Sequence, residues 1–133
     1  MRSRKDISVL VSCLLTLLIT TGCDIVEREE IGRFPSPDLL VDAIVVRTNA
    51  GATTDYGYRV YLKPIGEKPT GGDEIFIGDK LLGLRVAWNE AGFLNIEYSD
   101  GRVFHFSNFW QSKKILNFEY IVHIDLVHCN GSG

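Results

Sequence analysis

The chain of 133 residues lacks an excess of basic side chains, because its 14 Lys and Arg residues are outnumbered by 17 Asp and Glu residues. The formal net charge is −3 at pH 7, and no segment concentrates Lys and Arg into a patch. Proteins that bind nucleic acids usually carry such a patch to neutralise phosphates. The composition therefore argues against a nucleic-acid partner, and it offers no electrostatic attraction to an anionic bilayer.

Cysteine is also scarce. The three cysteines are too few for the dense disulfide framework that holds many small secreted domains together. Cys13 lies inside the apolar N-terminal run described below, and Cys129 opens a tail of small and polar residues, 129–133. If Cys23 is lipidated, Cys129 stays a lone thiol or pairs with a cysteine of another chain. If Cys23 is unmodified, a disulfide between Cys23 and Cys129 is possible.

Transition-metal ligands are few, and their spacing does not build a site. His105, His123 and His128 are the three histidines, and Cys129 is the remaining candidate ligand. On a continuous strand, the five-residue spacing of His123 and His128 puts them on opposite faces. The sequence therefore predicts no metal site and no cofactor.

No catalytic motif accompanies the candidate nucleophile. Ser107 follows His105 by two positions, but the sequence has neither a nucleophile-elbow motif nor an assigned acid beside it. Glu97, Asp100 and Glu119 offer the carboxylate pairs that glycosidases use, and any chain with this many acids offers such pairs. We therefore predict that the protein is not an enzyme.

The N-terminal residues have the pattern of an export signal. Arg2, Arg4 and Lys5 precede an apolar run over residues 7–19, and small residues follow. The run is shorter than the roughly 20 residues that a membrane-spanning helix needs, and charged residues come soon after it. This pattern predicts a helical signal peptide over residues 1–22.

The segment Thr20-Thr21-Gly22-Cys23 resembles the lipobox of bacterial lipoproteins, in which a small residue precedes the cysteine that becomes the lipidated N-terminus. The resemblance implies lipidation at Cys23 and anchoring in a membrane of the bacterial cell envelope. Several acyl chains, at about 0.8 kcal/mol per buried CH₂, suffice for stable anchoring. Asp24 directly after the cysteine implies, by the same resemblance, the periplasmic face of the inner membrane in a Gram-negative host.

The predicted mature chain divides into three parts. Residues 23–38 are charged early, contain a glycine and two prolines, and show no apolar period, so we predict a tether. A β-domain is predicted over residues 39–128, and a tail over residues 129–133. Removing the signal peptide takes away three basic residues and one acid, so the net charge of −3 becomes −5.

Alternation of apolar and polar residues at strand spacing runs through most of the segment 39–128. Asp100-Gly101 is a tight-turn signal between two such runs, and the short loops favour antiparallel neighbours. About seven strands of ordinary length predict an all-β fold, which is a single antiparallel β-sandwich, a curved sheet or a small barrel. Residues 107–117 are ambiguous between a helical turn and a wide loop.

Four short segments carry a second resemblance: Ser36-Pro37-Asp38, Gly51-Ala52-Thr53-Thr54, Val86-Ala87-Trp88 and Leu94-Asn95-Ile96-Glu97-Tyr98. Over roughly residues 36–106 the chain resembles a family of small bacterial lipoproteins of uncharacterised function. The resemblance implies an exported, β-rich protein and brings no known activity.

Two places in the sequence are candidates for an interaction surface. Phe109 and Trp110 lie in the ambiguous stretch beside two lysines, and aromatic residues are enriched at interface hot spots. Thr53 and Thr54 lie in the loop that follows the first predicted strand, where turn formation alone also explains them.

The sequence therefore predicts a lipid-anchored, non-enzymatic envelope protein whose β-domain binds another protein or supports envelope structure. One alternative is an inhibitor or immunity-type lipoprotein that blocks a cell-surface hydrolase. A second alternative is a hydrolase that acts on envelope material.

Overall fold

The structure, a computed structural model, describes residues 26–51 and 54–130. The predicted signal peptide, the predicted lipidation site Cys23 and the candidate residue Thr53 lie outside the described residues. The described part contains nine strands and one short helical turn, Leu116–Phe118. The strands are β1 (Glu27–Pro35), β2 (Val41–Asn49), β3 (Gly57–Pro64), β4 (Glu74–Leu82), β5 (Arg85–Glu90), β6 (Phe93–Tyr98), β7 (Asp100–Phe106), β8 (Phe109–Gln111) and β9 (Ile121–His128).

The strands form two sheets, and the all-β prediction is confirmed. Sheet A has the order β1-β2-β3-β4-β7, and sheet B has the order β5-β6-β9-β8. Within the described ranges neither sheet closes on itself, which agrees with a β-sandwich among the predicted architectures. Pairing is antiparallel as predicted except between β6 and β9, which run parallel. The chain visits sheet A through β7 between these two strands, which supplies the long connection that a parallel pair requires.

The predicted tether differs from the structure, because most of it is the edge strand β1. This strand pairs with β2 over almost its whole length, from Glu27 opposite Asn49 to Pro35 opposite Asp42. Most of its side chains are exposed, so it lacks the apolar alternation that marks a half-buried strand. The missing strand, together with the three-residue β8, accounts for nine strands where about seven were predicted.

The core lies between the sheets and consists of the inward members of each alternating strand. It includes fully buried side chains from both sheets, among them Leu62, Phe76, Leu94, Ile96 and Val122. Burying an apolar side chain of this size stabilises the fold by roughly 1.5–3 kcal/mol. The core therefore holds the two sheets together.

A second, smaller cluster lies on the outer face of sheet A. Ile44, Val46 and Tyr61 are buried there, although no further sheet covers them in the described part of the chain. Long charged side chains cross this face and form ion pairs, of which Arg59 Nη1 to Glu74 Oε1 (2.8 Å) is one. Their aliphatic stems cover apolar surface while their charged groups stay paired and close to water.

The strand registers define two ends of sheet A. Glu27 lies opposite Asn49, and Pro35 lies opposite Asp42. We call the end at which β1 begins, beside the β2–β3 loop, the near end. We call the end at which β1 finishes, beside the loop of residues 65–73, the far end.

Sheet B shares these two ends. The indole Nε1 of Trp88, late in β5, donates a hydrogen bond of 2.8 Å to the carbonyl oxygen of Phe34, late in β1. The β5–β6 turn therefore lies at the far end. Both β6 and β9 start there and run to the near end, because Phe93 pairs with His123 and Tyr98 with His128.

Candidate interaction surface

The Ser-Pro-Asp motif closes the far end of the sandwich. The backbone N–H of Ser36 donates to the carbonyl oxygen of Val41 (2.8 Å), and the N–H of Val41 donates to Ser36 Oγ (3.1 Å). The turn brings Leu39 into a left-handed backbone conformation, with φ at 58°. The motif therefore has a structural role, since it forms the turn that connects β1 to β2.

Asp38 of the same motif reaches sheet B. Its carboxylate accepts hydrogen bonds from Ser36 Oγ and from the hydroxyl of Tyr120, just before β9. Burial, with the bond to Asp38, raises the pKa of Tyr120 to about 12. Burial alone would raise the pKa of Asp38, but the hydrogen bonds from the two side chains and from the backbone together outweigh it, and the pKa lies below its usual value.

An exposed apolar patch lies on the outer face of sheet B at the far end. Strand pairing places Phe93, His123 and Phe109 side by side, and Ile121 lies next along β9. The exposed fractions are 43% for Phe93, 54% for Phe109 and 43% for Ile121. The His123 ring stacks on the Phe93 ring with centroids 5.2 Å apart. We call these four residues the aromatic face.

The two aromatic residues predicted as one interaction surface point in opposite directions. Phe109 belongs to the aromatic face, whereas Trp110 lies opposite Val122 and packs against the core. Successive side chains of a strand alternate between the two faces of a sheet, so adjacent residues of β8 cannot share a surface. Because residues 107–117 were predicted as a helical turn or a loop, the sequence analysis did not apply strand alternation to Phe109 and Trp110.

A left-handed turn borders the aromatic face. Leu116, Asn117 and Phe118 all have positive φ angles, at 49°, 48° and 70°. Left-handed helical geometry costs roughly 1–2 kcal/mol per residue for residues other than glycine. The turn is held by the N–H of Phe118, which donates to the carbonyl oxygen of Ser112 (3.1 Å), and Leu116 and Phe118 remain exposed. Asn117, a residue type that tolerates this conformation, is the one sequence signal for it.

The second predicted surface lies elsewhere. Thr54 is exposed in the β2–β3 loop, where its hydroxyl donates to the carbonyl oxygen of Gly51 (3.0 Å). This loop is at the near end, whereas Phe109 is at the far end. The structure therefore does not bring Thr54 together with the aromatic face.

Ser107 and His105 do meet, but not as a nucleophile and its base. Ser107 Oγ lies 3.3 Å from His105 Nε2, and the same nitrogen lies 3.1 Å from the carbonyl oxygen of Glu74. A carbonyl oxygen only accepts hydrogen bonds, so the Glu74 contact is a hydrogen bond only in the tautomer with the proton on Nε2, and in that tautomer Nε2 cannot take a proton from Ser107. The contact therefore ties β7 to β4.

The carboxylates considered for glycosidase chemistry are also separated. Glu97 and Asp100 lie at the near end, whereas Glu119 follows the left-handed turn at the far end. Among the described residues, no group of three or more His, Cys, Asp and Glu side chains is placed to hold a metal ion.

The remaining histidine and cysteine candidates lie at the near end. The ring of His128 stacks on that of Tyr98 at 4.9 Å, and its Nε2 contacts the carbonyl oxygen of Ser99 (3.0 Å). Cys129 is exposed and has no disulfide partner within residues 26–51 and 54–130. Because Cys23 lies outside these ranges, the predicted states of Cys129 stay predictions.

In the described ranges, no helix has the length and apolar character needed to cross a membrane. No protein-family model matches the chain, and neither a curated protein nor a solved structure matches it.

Proposed function

We propose that the protein is an exported bacterial lipoprotein, anchored through acyl chains on Cys23, whose β-sandwich binds another envelope protein through the aromatic face. The lipobox-like segment supports the anchoring. The observation that carries the binding role is the row of Phe93, His123 and Phe109, which is continuous with Ile121 and open to water.

The position of the aromatic face suits this role. The nine residues of β1 span roughly 30 Å at about 3.3 Å per residue, and the segment toward Cys23 leaves the sandwich at the near end. The aromatic face lies at the far end and is therefore held roughly 30 Å from the point at which the anchored segment joins the sandwich. An anchored domain presents such a surface outward, toward a partner on the envelope.

The chemistry of the aromatic face also suits a protein partner. Isolated apolar side chains on a surface are ordinary, but contiguous apolar patches mark interaction sites. Aromatic residues supply large contact areas at low conformational cost and are enriched at interface hot spots. His123 adds one polar group, so the patch offers hydrogen bonding as well as apolar area.

A second form of this proposal makes the partner a hydrolase that the lipoprotein blocks, with the exposed left-handed turn as part of the blocking surface. The turn holds Leu116 and Phe118 exposed in a fixed backbone conformation. A segment that is already ordered in the free protein loses little conformational entropy on binding. The contact between Ser107 and His105 lends no support to hydrolase activity in this chain itself.

Site-specific photo-crosslinking in cells tests the binding role. A photoreactive phenylalanine analogue replaces Phe109 in the full chain. In a matched control it replaces Phe104, which is somewhat more exposed (63% against 54%) and lies on edge strand β7 of sheet A. We expect one discrete crosslinked protein from position 109 and none from position 104. Adding Phe93→Ser is expected to reduce the yield at position 109 about tenfold.

The same cells test the anchor. The intact mass of the membrane-extracted chain is expected to correspond to a start at Cys23 with added acyl mass, and Cys23→Ala is expected to lose that mass. Equal crosslinking at positions 109 and 104, or at neither, contradicts the binding role. An unmodified Cys23 contradicts the anchor.

A further inference from the structure

We propose that the near-end half of β9 binds an extended segment of the partner protein, which pairs with β9 as an added strand. Strand β9 covers Ile121–His128 and pairs with β6 over residues 123–128. On its other side, β8 pairs only with residues 121–123. In the described part of the chain, residues 125–128 therefore have a neighbouring strand on one side alone. We call their unpaired side the open edge.

Two backbone hydrogen bonds show which residues of β9 face β6. The N–H of His123 donates to the carbonyl oxygen of Gly92, just before β6 (2.8 Å). The N–H of Cys129 donates to the carbonyl oxygen of Tyr98, the last residue of β6 (2.8 Å). The backbone groups of successive residues in a strand alternate in direction. The odd-numbered residues from 123 to 129 therefore direct their N–H and C=O groups toward β6.

The even-numbered residues face the open edge. The N–H of Ile124 confirms this direction, because it donates to the carbonyl oxygen of Asn108, just before β8 (2.8 Å). By the same alternation, the N–H and C=O of Leu126 and the N–H of His128 point to the side where β8 is absent. Such a row of donors and acceptors at a sheet edge is a template for pairing with another chain.

The open edge exists because the chain changes sheets just before β8. Strand β7 pairs with β4 of sheet A, and only Ser107 and Asn108 separate it from β8. The N–H of Ser107 still donates to the carbonyl oxygen of Ile75 in sheet A (2.8 Å), whereas Asn108 already bonds to β9. The chain therefore joins sheet B at residue 108 and leaves the place beside residues 125–128 to another strand.

The chemistry of the open edge selects an extended polypeptide. Alternating N–H and C=O groups are matched by a second strand about 4.8 Å away, and strand addition at a sheet edge is a recurring mode of peptide recognition. Leu126 of β9 and Phe106 of β7 pack against the core but are only partly buried. Inward side chains of an added strand would cover this apolar surface. The occupant is therefore an extended segment with apolar side chains at alternate positions.

Charge narrows the occupant further. Asp125 is exposed on the outer face of sheet B, and its neighbour on β6 is the uncharged Asn95. Opposite charges on adjacent strands stabilise their pairing, so Lys or Arg suits the outward positions of the added strand. A second copy of this chain suits them less. Its net charge of −3 repels, and pairing about Leu126 would place the two Asp125 carboxylates diagonally, roughly 7–8 Å apart.

The open edge is continuous with the aromatic face. Phe109 lies opposite His123, and Leu126 follows His123 by three residues, or roughly 10 Å. An added strand would have one end beside Asn108, next to Phe109, so one partner can occupy both surfaces. The assignment of the segment to that partner rests on the proposed function, whereas the pairing capacity of β9 does not.

Amide hydrogen exchange tests the open edge with a defined probe. Peptides are selected against the full chain from a phage-displayed library of random 12-residue sequences, and exchange is followed by NMR. We expect selected peptides to alternate apolar residues with Lys or Arg. A synthetic selected peptide is expected to slow exchange at the Leu126 and His128 amides at least about tenfold, with no gain at Val127.

Two outcomes of the exchange measurement would overturn the proposal. The first is slow exchange of Leu126 and His128 in the chain alone, because a second copy or another part of the chain would then occupy the open edge. The second is a library that yields no peptide able to protect these two amides.

Two N-methylated versions of a selected peptide test main-chain pairing. Methyl groups on one set of alternate residues block the N–H groups that face β9, and methyl groups on the other set leave them free. We expect one version to bind about tenfold or more weakly and the other to bind within about twofold of the parent. Equal losses in both versions, or a loss in neither, would overturn pairing through the backbone.

A proline variant tests the same pairing from the side of the protein. His128→Pro removes an N–H that points into the open edge and no hydrogen bond to β6, so we expect about tenfold weaker peptide binding. His128→Ala is the matched control, because it removes the ring that stacks on Tyr98 but keeps the N–H, and it is expected to leave binding unchanged. Urea unfolding verifies that both variants are folded. Equal effects of the two variants would overturn the role of the backbone.

The crosslinking measurement in cells separates this inference from the proposed function. The peptide measurements need neither the anchor nor the cellular partner, so peptide binding without a crosslink from position 109 would contradict the aromatic face and support the open edge. His128→Pro is expected to reduce the crosslink from position 109 about tenfold. An unchanged crosslink in this variant would overturn the open edge as part of the partner's site and leave the aromatic face intact.

Discussion

The hydrogen bond between Tyr120 and Asp38 is the contact by which the Ser-Pro-Asp turn of sheet A holds sheet B at the far end, and Tyr120→Phe removes it alone. The ring stays in place, because the change deletes one hydroxyl and keeps the shape. The bond joins residues 82 positions apart in sequence. Its loss therefore removes a tie between the sheets and leaves the local turn intact.

The expected cost follows from the pKa of Tyr120. The pKa rises from 10.0 to about 12 on folding, and a shift of this size sets an upper limit of about 2.7 kcal/mol. Asp38 lies in an exposed turn, so solvent screening reduces the bond to about 1 kcal/mol. We expect Tyr120→Phe to lower the free energy of unfolding by about that amount at pH 7.

The directions of the two pKa shifts determine the pH range in which the hydrogen bond stabilises the fold. The pKa of Asp38 is lowered on folding, so its contribution is present above the ordinary pKa of 3.8 and is lost as the pH falls through the folded value. The pKa of Tyr120 is raised, so its contribution is present below 10.0 and is lost as the pH rises toward about 12. The difference between the wild type and Tyr120→Phe is therefore largest between about pH 4 and pH 10.

Urea unfolding followed by the fluorescence of Trp88 and Trp110 measures this difference. Tyr56→Phe is the matched control, because Tyr56 is exposed and its hydroxyl has no hydrogen-bond partner among the described residues. We expect the control to change stability by less than about 0.5 kcal/mol. Equal losses in the two variants, or a loss from Tyr120→Phe that is the same at pH 2.5 as at pH 7, would refute the reasoning.

Two further changes probe the backbone and the outer face of sheet A by the same unfolding measurement. Gly101→Ala is expected to lower the free energy of unfolding by about 3 kcal/mol, since φ of Gly101 is 128° and a Cβ would lie 2.8 Å from the carbonyl oxygen of Lys80. Gly66→Ala is the comparison, because a Cβ at Gly66 would meet no atom within 4 Å. A loss from Gly101→Ala no larger than that from Gly66→Ala would contradict the prediction. Asp42→Asn is expected to cost about 2 kcal/mol, because this buried carboxylate accepts from Arg33 Nη1 and the Gly66 N–H, both at 2.8 Å. The exposed pair of Glu29 and Arg47 is the comparison, and a Glu29→Gln effect as large as that of Asp42→Asn would count against the role of burial.

The sequence could predict the interior of the sandwich because that interior obeys simple alternation. Leu94 and Ile96 face the core while Asn95 and Glu97 face outward, and the same rule holds for Val122 and Ile124 of β9. The tight-turn signal at Asp100-Gly101 was misleading, because these residues open β7, and β7 joins sheet A and does not pair with β6. The order of the strands could not be predicted, because the parallel pairing of β6 with β9 depends on long-range packing that no local sequence pattern encodes.

Strand β1 escaped prediction for a physical reason. An edge strand with both faces partly in water needs no apolar stripe, and Glu27, Arg28, Glu29 and Glu30 instead carry charges that discourage pairing with other chains. One of these charges has a partner in the neighbouring strand, since Glu29 pairs with Arg47 at 2.7 Å. This cross-strand complementarity was the available signal, but it is visible only once the register is known.

The sequence analysis named only one residue of the aromatic face. Phe109 was identified because it lies in the ambiguous stretch, but its neighbours on the aromatic face come from distant segments. Phe93 is 16 positions earlier in the sequence and Ile121 is 12 positions later, and only the order β6-β9-β8 brings them together. A patch built across three strands has no sequence signature, whereas the individual residues do stand out as apolar residues at outward positions of otherwise alternating strands.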